Sequence, residues 1–324
     1  MTEQGWGQLK LLTSSQKNIY ILEDPKLSHK DKDKIKSIEK YKDYFYRFWQ
    51  KEASDIYSKT VLLDRDAVTY LVIASRPNKI EAKEECFPVV GCFPYLGFFS
   101  KASAKEHKKK LEEKGNETYM RRVLAYSTLG NFDDPILSTF FLYDDFELAE
   151  TIFHELFHTI FFVKDEVDLN ENLANFFGKA MVYEYFGHIN PKAKTYYLEV
   201  EKRRKLFATI SSHALKLQEI LKEQNWKDKK KDYIKNIFLT DIKLQCQILG
   251  INDCWPAKQT WNSATFAAFM TYEKGQSKIN DFMKQFKGNL KDLFTFMQNS
   301  YEDYKKQSKI KSFETYILKG RKAI

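Results

Sequence analysis

The sequence lacks a long apolar run. None of its segments approaches the ~20 consecutive apolar residues that a membrane-spanning helix needs. The first ten residues, MTEQGWGQLK, contain no apolar core of the kind found in secretion signals. We therefore predict no transmembrane segment in this chain. Either the protein is cytoplasmic or a targeting segment is absent from the sequence.

Internal repeats, low-complexity linkers and a dominant charge are also lacking. The 53 Lys and Arg residues exceed the 44 Asp and Glu residues by nine, but the basic groups are largely interspersed with acidic ones. Interspersed charge is typical of a solvated surface, so we expect no nucleic-acid partner and interpret runs such as KDKKKD as exposed helix ends. With 324 residues, 43% of them hydrophobic, the chain is long enough for a sizeable core.

Cysteine is scarce. The four residues form two close pairs, Cys86 with Cys92 and Cys246 with Cys254. Neither spacing matches the two-residue knuckle of a structural zinc site. Disulfide bonds within each pair would suit an oxidising compartment, and free thiols are the alternative.

Secondary-structure patterns change along the chain. Residues 28–52 carry apolar side chains at helical spacing and predict an amphipathic helix. Three short β-branched and aromatic runs follow, AVTYLVIAS, CFPVVGCF and MRRVLAYSTL, and they predict strands around one helix. Beyond Pro191 the pattern is almost wholly helical, with breaks at Asn225, GINDCWPA and KGN.

These patterns predict a predominantly helical α+β fold. We expect a mixed lobe over residues 1–187, which contains a small sheet, and a helical lobe over residues 188–324 that closes an active-site cleft between the two.

The segment HELFH carries the strongest chemical signal, and Asp144, Asp145 and Glu147 predict an N-cap and capping box for the helix that contains it. His154 and His158 lie four residues apart, so on a helix they share one face, about 6 Å apart along the axis, and both imidazoles can reach one metal ion. Glu155 lies roughly 100° round the helix from His154, where it can approach a water on the metal without being a ligand. With six histidines in the chain, roughly 0.01 such pairs with an enclosed glutamate are expected by chance.

A catalytic zinc ion needs a third protein ligand and one open coordination position. The charged stretch KDEVD predicts that the first helix ends near Lys164, and Asp168 is placed to cap a second helix three residues before Glu171. Glu171 would then lie in the first turn of a helix that folds back on the first. The sequence therefore predicts a zinc site at His154 and His158, with Glu171 as the third ligand.

Small residues follow on the same face of that second helix. Ala174 and Gly178 would allow the two helices to approach closely, and Asn175 is placed to orient a ligand by hydrogen bonding. The alternative, an apolar helix pair with no metal, would bury polar groups at a cost of ~1 to 3 kcal/mol each. The other histidines lack such neighbours and are expected at the surface: His29, His107, His188 and His213.

Five blocks of the sequence resemble, in the same order, the bacterial zinc-dependent aminopeptidases that carry a thermolysin-like (gluzincin) motif. The blocks cover most of the chain: GQLKLL, CFPVVGCFPYLGFFSKASA, VLAYSTLGNFDDPILSTFF, IFHELFHTIFFVKDEVDLNENLAN and NSATFAAFMTY. The resemblance implies a zincin-like fold that hydrolyses peptides, with one Zn²⁺ per chain held by His154, His158 and Glu171. It also implies that Glu155 is the general base.

The sequence departs from the family at two positions, and the resemblance also implies where in the cell the protein lies. The family commonly has an arginine where this sequence has Leu96 and a small residue where it has Phe157, so the substrate pocket is expected to differ. Many members carry an N-terminal membrane or lipoprotein signal. We therefore expect Met1 to replace a removed signal and the native protein to lie in the bacterial cell envelope, in the periplasm, where a membrane or lipid anchor would fit; a cytoplasmic location is the alternative.

Substrate-binding residues are sought near the strands. An aminopeptidase needs a carboxylate for the free amine of its substrate, and Asp133, Asp134 and Glu147 are candidates, with capping and turn formation as their alternative role. Tyr126 and Ser127 begin YSTL, which could pair with substrate backbone as an edge strand. Tyr272 could donate a hydrogen bond to the oxyanion, with Tyr126 and Tyr143 as rival donors and core packing as the alternative role of each.

The sequence therefore predicts a zinc-dependent peptidase, and more specifically an aminopeptidase. The main alternative is a catalytically inactive binding or scaffold protein with the same fold. A nucleic-acid-binding protein is a third interpretation that rests on charge alone.

Overall fold

The computed structural model describes residues 7, 11, 13–87, 91–125, 133–187, 190–273, 286, 289–307 and 310–319. They fall into two compact units. The first takes its described residues from Met1–Gln8, Ala67–Leu124 and Lys194–Glu273, and the second from Leu9–Asp66, Ala125–Ala193 and Lys274–Ile324. This division differs from the predicted boundary after residue 187, and the closing of a cleft by a helical lobe stays a prediction.

Short strands and many helices make up the described chain. The strands are β1 (Gln16–Lys17), β2 (Lys59–Val61), β3 (Thr69–Ser75), β4 (Glu85–Phe87), β5 (Gly91–Phe93), β6 (Leu96–Phe98), β7 (Glu117–Val123) and β8 (Ile136–Leu137). The first six helices are α1 (Asn18–Glu23), α2 (His29–Trp49), α3 (Lys101–Glu113), α4 (Asp145–Ile160), α5 (Val167–Phe186) and α6 (Pro191–Ile220). The remaining helices are α7 (Trp226–Asp232), α8 (Leu239–Ile248), α9 (Trp255–Lys258), α10 (Ser263–Glu273), α11 (Leu290–Lys305) and α12 (Phe313–Lys319).

Two further segments are helical with other hydrogen-bond patterns. A 3₁₀ helix covers Ser138–Leu142, and a π-helix covers Tyr233–Phe238 between α7 and α8. The prediction of a predominantly helical α+β fold is confirmed. No helix among the described residues is both long enough and apolar enough to span a bilayer.

The first unit is built on an antiparallel sheet. Its central strand, β3, pairs with β6 on one side and with β7 on the other, and all seven of its residues are buried. α3 follows β6 and begins after Ser100, whose hydroxyl accepts a hydrogen bond from the Ser103 N–H. The predicted strand at AVTYLVIAS and the helix after PYLG are therefore present.

The helical part of the first unit has its own core. Leu206, Ile210, Ala214 and Leu217 recur on one face of α6 and form one apolar cluster with residues of the π-helix, α8 and α10. Because these side chains recur every three to four residues, they form a continuous stripe that the neighbouring helices bury.

The second unit holds a small mixed sheet and several helices. β2 pairs antiparallel with β1 and parallel with β8. α2 begins after Ser28, whose hydroxyl accepts from the Asp31 N–H, close to the predicted start of the amphipathic helix. The ring of Phe45 on α2 stacks against that of Phe153 on α4, with centroids 6.2 Å apart. Aromatic packing of this kind positions α4 within the unit.

Disulfide bonds are present in the described structure. Cys246 and Cys254 are joined, with Cα atoms 5.9 Å apart. Cys86 is also disulfide-bonded, and Cys92 lies directly opposite it in the register of β4 and β5. The cysteine pairs thus agree with the predicted close pairing, while the compartment stays a prediction.

Several local predictions are wrong. CFPVVGCF, predicted as one strand, contributes to two strands, β4 and β5. α4 ends at Ile160, earlier than the predicted Lys164, and α5 begins after Glu166 with no side-chain cap, so Asp168 is not the capping residue.

The histidines expected at the surface divide into three groups. His29 is exposed and His107 is half-buried, whereas His213 is buried in the first unit. His213 is buried because both of its ring nitrogens have partners, which no local pattern shows. His188 lies outside the described residues.

Candidate metal centre

The helix that carries HELFH is fixed at its first turn. The Asp144 carboxylate accepts hydrogen bonds from the N–H groups of Phe146 and Glu147 at 2.9 and 2.8 Å, as the predicted cap requires. The buried Lys34 ammonium, on α2, donates to the Tyr143 carbonyl and to Asp145, both at 2.8 Å. These contacts set the start of α4, and hence the direction in which its later side chains point.

Small residues bring α5 close to α4 beside the histidines. Ala174 is fully buried, and a Cβ atom added at Gly178 would lie 3.1 Å from the Glu150 carbonyl oxygen and 3.2 Å from the backbone nitrogen and Cβ of His154. Only glycine leaves room for this approach without a shift of the α4 backbone.

Two buried polar contacts fix the turn between the helices. The Asn170 side chain accepts from the Val163 N–H at 2.8 Å and donates to the Val163 carbonyl at 2.7 Å. The Glu166 carboxylate accepts from the backbone N–H groups of Phe313 and Glu314, at the start of α12. Sequence reasoning missed both roles, since the partners of Glu166 lie almost 150 positions away.

The turn brings the three predicted ligands together. The Nε2 atoms of His154 and His158 are 3.3 Å apart. One Glu171 carboxylate oxygen lies 3.4 Å from the His154 Nε2, and the other lies 3.5 Å from the His158 Nε2. Among the described residues, these form the one group of three or more His, Cys, Asp or Glu side chains with candidate ligand atoms all within 4.8 Å of one another.

Burial and mutual charge set the protonation of the cluster. Burial, with a further contribution from His154, lowers the pKa of His158 to about 4. Burial works to raise the pKa of Glu171, but the hydrogen bond and charge of His154 outweigh it and the pKa is lowered. Burial works to lower the pKa of His154, yet its hydrogen bond to Glu171 and the charge of Glu155 raise it.

The donor set fits a zinc ion. Two imidazole nitrogens and one carboxylate oxygen are the ligands of one class of catalytic zinc sites, which bind in the neutral imidazole and ionised carboxylate forms. His158 is buried, and among the described residues its Nδ1 has no hydrogen-bond partner, so packing and the contacts of its Nε2 with His154 and Glu171 orient the ring. The Glu171 side chain is 44% exposed, which leaves one side of the cluster open to solvent.

Glu155 and Tyr57 lie beside the cluster. Glu155 is half-buried, and its charge contributes to the raised pKa values of His154 and Tyr57. Tyr57 is fully buried, its hydroxyl has no hydrogen-bond partner among the described residues, and its backbone has a φ of 61°. A buried hydroxyl without a partner and a left-handed non-glycine residue both cost free energy. Tyr57 has no sequence signal, since it is one of 19 tyrosines.

The other predicted site residues differ in burial and in whether the structure describes them. Asn175 is half-buried on α5 and forms no hydrogen bond with a described residue. Asp133 is exposed, whereas Asp134 is buried and its carbonyl accepts from the Tyr57 N–H at 2.8 Å. Tyr126 and Ser127 lie outside the described residues. Tyr272 lies in the last turn of α10, and its side chain is outside the described part of the chain.

Comparison with known proteins identifies a family. A family model described as "putative aminopeptidase" matches residues 1–312. The chain belongs to this family. No curated protein and no solved structure was found to match.

Two positions at which the sequence was expected to depart from the aminopeptidase family are buried in packing. Phe157 is almost completely buried, and its ring stacks on that of Phe177 with centroids 4.3 Å apart. Leu96 is half-buried and packs against the apolar cluster under β3. Phe157 therefore fills space between α4 and α5 and tightens the contact that positions the two histidines.

Proposed function

We propose that this member of the aminopeptidase family is a zinc-dependent peptidase. The observation that carries the proposal is the convergence of the Nε2 atoms of His154 and His158 with the Glu171 carboxylate. Family membership supports a peptide substrate. We propose these three residues as the ligands of one zinc ion per chain and a zincin-like arrangement for the helix pair.

Each residue has a defined task in amide hydrolysis. When bound, zinc supplies Lewis acidity, which lowers the pKa of water to near 7 and polarises the scissile carbonyl. Glu155 accepts the proton of the attacking water and then gives it to the departing amine. Asn170 and Gly178 hold α5 against α4, so that Glu171 stays within reach of both imidazoles.

Exopeptidase specificity needs a carboxylate that the substrate amine can reach. Asp133 is exposed and Asp134 is buried, so Asp133 is the better candidate of the two.

We also propose a location in the bacterial cell envelope, which the disulfide between Cys246 and Cys254 supports because such bonds persist in oxidising compartments.

The deciding experiment is the substitution Glu155→Gln. Hydrolysis of a broad peptide library should fall at least ~100-fold, the lower end of the usual effect of a positioned acid or base, while zinc content stays unchanged. The amide that replaces the carboxylate can still hydrogen-bond a water but cannot accept its proton. Glu184→Gln, at an exposed position on α5, is the matched control and should hydrolyse like the wild type.

Two outcomes contradict the proposal. Zinc-loaded wild-type protein that cleaves no peptide in the library would make the chain an inactive binding or scaffold protein of this family. Full activity in Glu155→Gln would assign the base to another residue.

A further inference from the structure

A cavity of about 660 Å³ lies in the first unit. It is bordered by α7 and the π-helix, which continue into α8 without a break, and by residues 259–262. We call it the lysine cleft, because Lys227, Lys231 and Lys235 line it together with Trp226 and Gln259. Its volume is within the range of ligand-binding pockets.

The three lysines present uncompensated positive charge. They occupy positions four residues apart on one continuous helix. The α-helical rise separates Lys227 from Lys231 by about 6 Å along the axis, and the step to Lys235, which enters the π-helix, is somewhat shorter. All three are exposed, and none forms an ion pair with a carboxylate of the described residues. Asp228 and Asp232 lie on the same helix but do not line the cleft.

One carboxylate lines the cleft within the described chain, and it is already neutralised. Both oxygens of Glu117 accept from the Lys230 ammonium at 2.7 Å, and one also accepts from the Ser263 N–H. Lys230 is buried and donates further to the Pro77 carbonyl. Because this pair is closed, the lysine cleft keeps the full charge of its three exposed lysines.

Lys235 lies on the π-helix, and buried side chains at both ends of this helix hold it in place. Tyr233 begins this segment, and its hydroxyl hydrogen-bonds the Nδ1 of buried His213 at 2.7 Å. Phe238, at the other end, is fully buried. π-helical segments are rare and occur frequently at functional sites, so this segment is a candidate wall for a ligand site.

We propose that the lysine cleft binds acidic segments of peptides in an extended conformation. Alternate side chains of an extended chain point to the same side and are about 6.6 Å apart, close to the repeat of the three ammonium groups. The Gln259 amide and the Thr260 hydroxyl stand among the lining residues, where they can pair with the peptide backbone. The Asn262 amide is already bound to the Thr118 carbonyl and to Thr265.

The chemistry of the cleft disfavours single-stranded nucleic acid. Such grooves offer aromatic rings on which bases stack. Here the Trp226 ring already has the ammonium groups of Lys227 and Lys230 at 5.8 and 5.9 Å from its centroid. Trp261 is buried, and its indole N–H donates to the Pro256 carbonyl.

The proposal is independent of the metal centre. Every residue of the lysine cleft belongs to the first unit, and the proposed zinc ligands belong to the second. Binding can therefore be measured with a chelator present, so that no metal-dependent hydrolysis consumes the peptide.

Fluorescence anisotropy of the full-length chain with a labelled peptide tests the proposal. The probe carries Asp at three alternate positions, and the comparison peptide carries Asn at the same positions. The double variant Lys231→Glu and Lys235→Glu should weaken binding of the Asp peptide at least about tenfold, since two attractive charge pairs are lost and two repulsive ones are introduced. Lys194→Glu with Lys243→Glu, which makes the same charge change at exposed positions outside the cleft, is the matched control.

The possible results divide clearly. Preference for the Asp peptide that is lost in the cleft variant and kept in the control supports the proposal. Equal binding of the Asp and Asn peptides, or equal weakening by the two double variants, overturns it. Tighter binding of a labelled oligothymidylate than of the Asp peptide also overturns it and makes the cleft a nucleic-acid site.

Discussion

Two buried histidine clusters in this protein are built in opposite ways. In the first unit, the Nδ1 of His213 hydrogen-bonds the Tyr233 hydroxyl at 2.7 Å, and its Nε2 hydrogen-bonds Asp241 at 2.8 Å. In the second unit, the Nε2 atoms of His154 and His158 point at each other across 3.3 Å, and the Nδ1 of His158 has no partner.

The difference shows how a structural histidine can be told from a candidate ligand. The His213 cluster satisfies both ring nitrogens, as buried polar groups in a stable core usually are. The His154 cluster directs two imidazole nitrogens and a carboxylate at one region of space, where they compete for the same protons. Such an arrangement is unfavourable without a cation and favourable with one, which is why we propose metal binding for the second cluster and not for the first.

The largest expected effect is the loss of bound zinc, which substitutions in the His154 cluster should cause and a substitution in the His213 cluster should not. His158→Ala or Glu171→Ala should lose bound zinc, with a fall in affinity greater than the ~10- to 100-fold that loss of a supporting residue costs. His213→Ala should keep one zinc per chain. Metal content after dialysis, measured by mass spectrometry, distinguishes the three proteins, and full zinc occupancy in Glu171→Ala would place the third ligand elsewhere.

The next effect is on stability, where His213→Ala should be more damaging than His158→Ala. His213→Ala leaves the buried Tyr233 hydroxyl and Asp241 without their partner, so the free energy of unfolding should fall by about 2 to 4 kcal/mol. His158→Ala in metal-free protein should cost less than His213→Ala, because its ring has no hydrogen bond at Nδ1 to lose. Urea unfolding with a chelator present measures both. A larger loss for His158→Ala would refute the comparison.

The sequence predicted the parts of this comparison that depend on local spacing. The i, i+4 pair His154 and His158, the cap at Asp144 and the small residue Gly178 can all be recognised within a few helical turns, and the structure brings them together as expected. The buried state of His213 could not be predicted, because Tyr233 and Asp241 lie 20 and 28 positions away.

The turn between α4 and α5 shows the same limit at smaller scale. Charge and capping preference suggested that Asp168 begins α5, but the helix begins after Glu166, whose carboxylate serves the start of α12 instead. A partner distant in sequence overrode the local preference. The lysine cleft was missed for a related reason: KDKKKD is typical of a solvated run, and only the fold shows that Lys230 is buried while Lys227 and Lys231 face a cavity.

A smaller effect tests the close approach of α4 and α5, on which the His154 cluster depends and the His213 cluster does not. Gly178→Ala gains up to ~1 kcal/mol of helix propensity, but its Cβ would meet backbone atoms of Glu150 and His154, which cannot move aside as a flexible side chain can. We expect a net loss of about 1 kcal/mol in stability and weaker zinc binding, measured by unfolding and by competition with a chromophoric chelator. Glu184→Ala, at an exposed position on the same helix, should change neither; zinc affinity unchanged in Gly178→Ala would show that the helices can separate without loss of the site.

The smallest effect compares two buried tyrosines, one from each region. Tyr233→Phe removes a hydroxyl that hydrogen-bonds His213, so it should lower the free energy of unfolding by about 1 kcal/mol. Tyr57→Phe removes a hydroxyl that has no partner, so stability should stay the same or rise by up to ~1 kcal/mol. Matched urea denaturation curves of the two variants measure the difference. If Tyr57→Phe is the more destabilising change, the Tyr57 hydroxyl has a partner in solution, and the charge of nearby Glu155 makes that carboxylate the first group to examine.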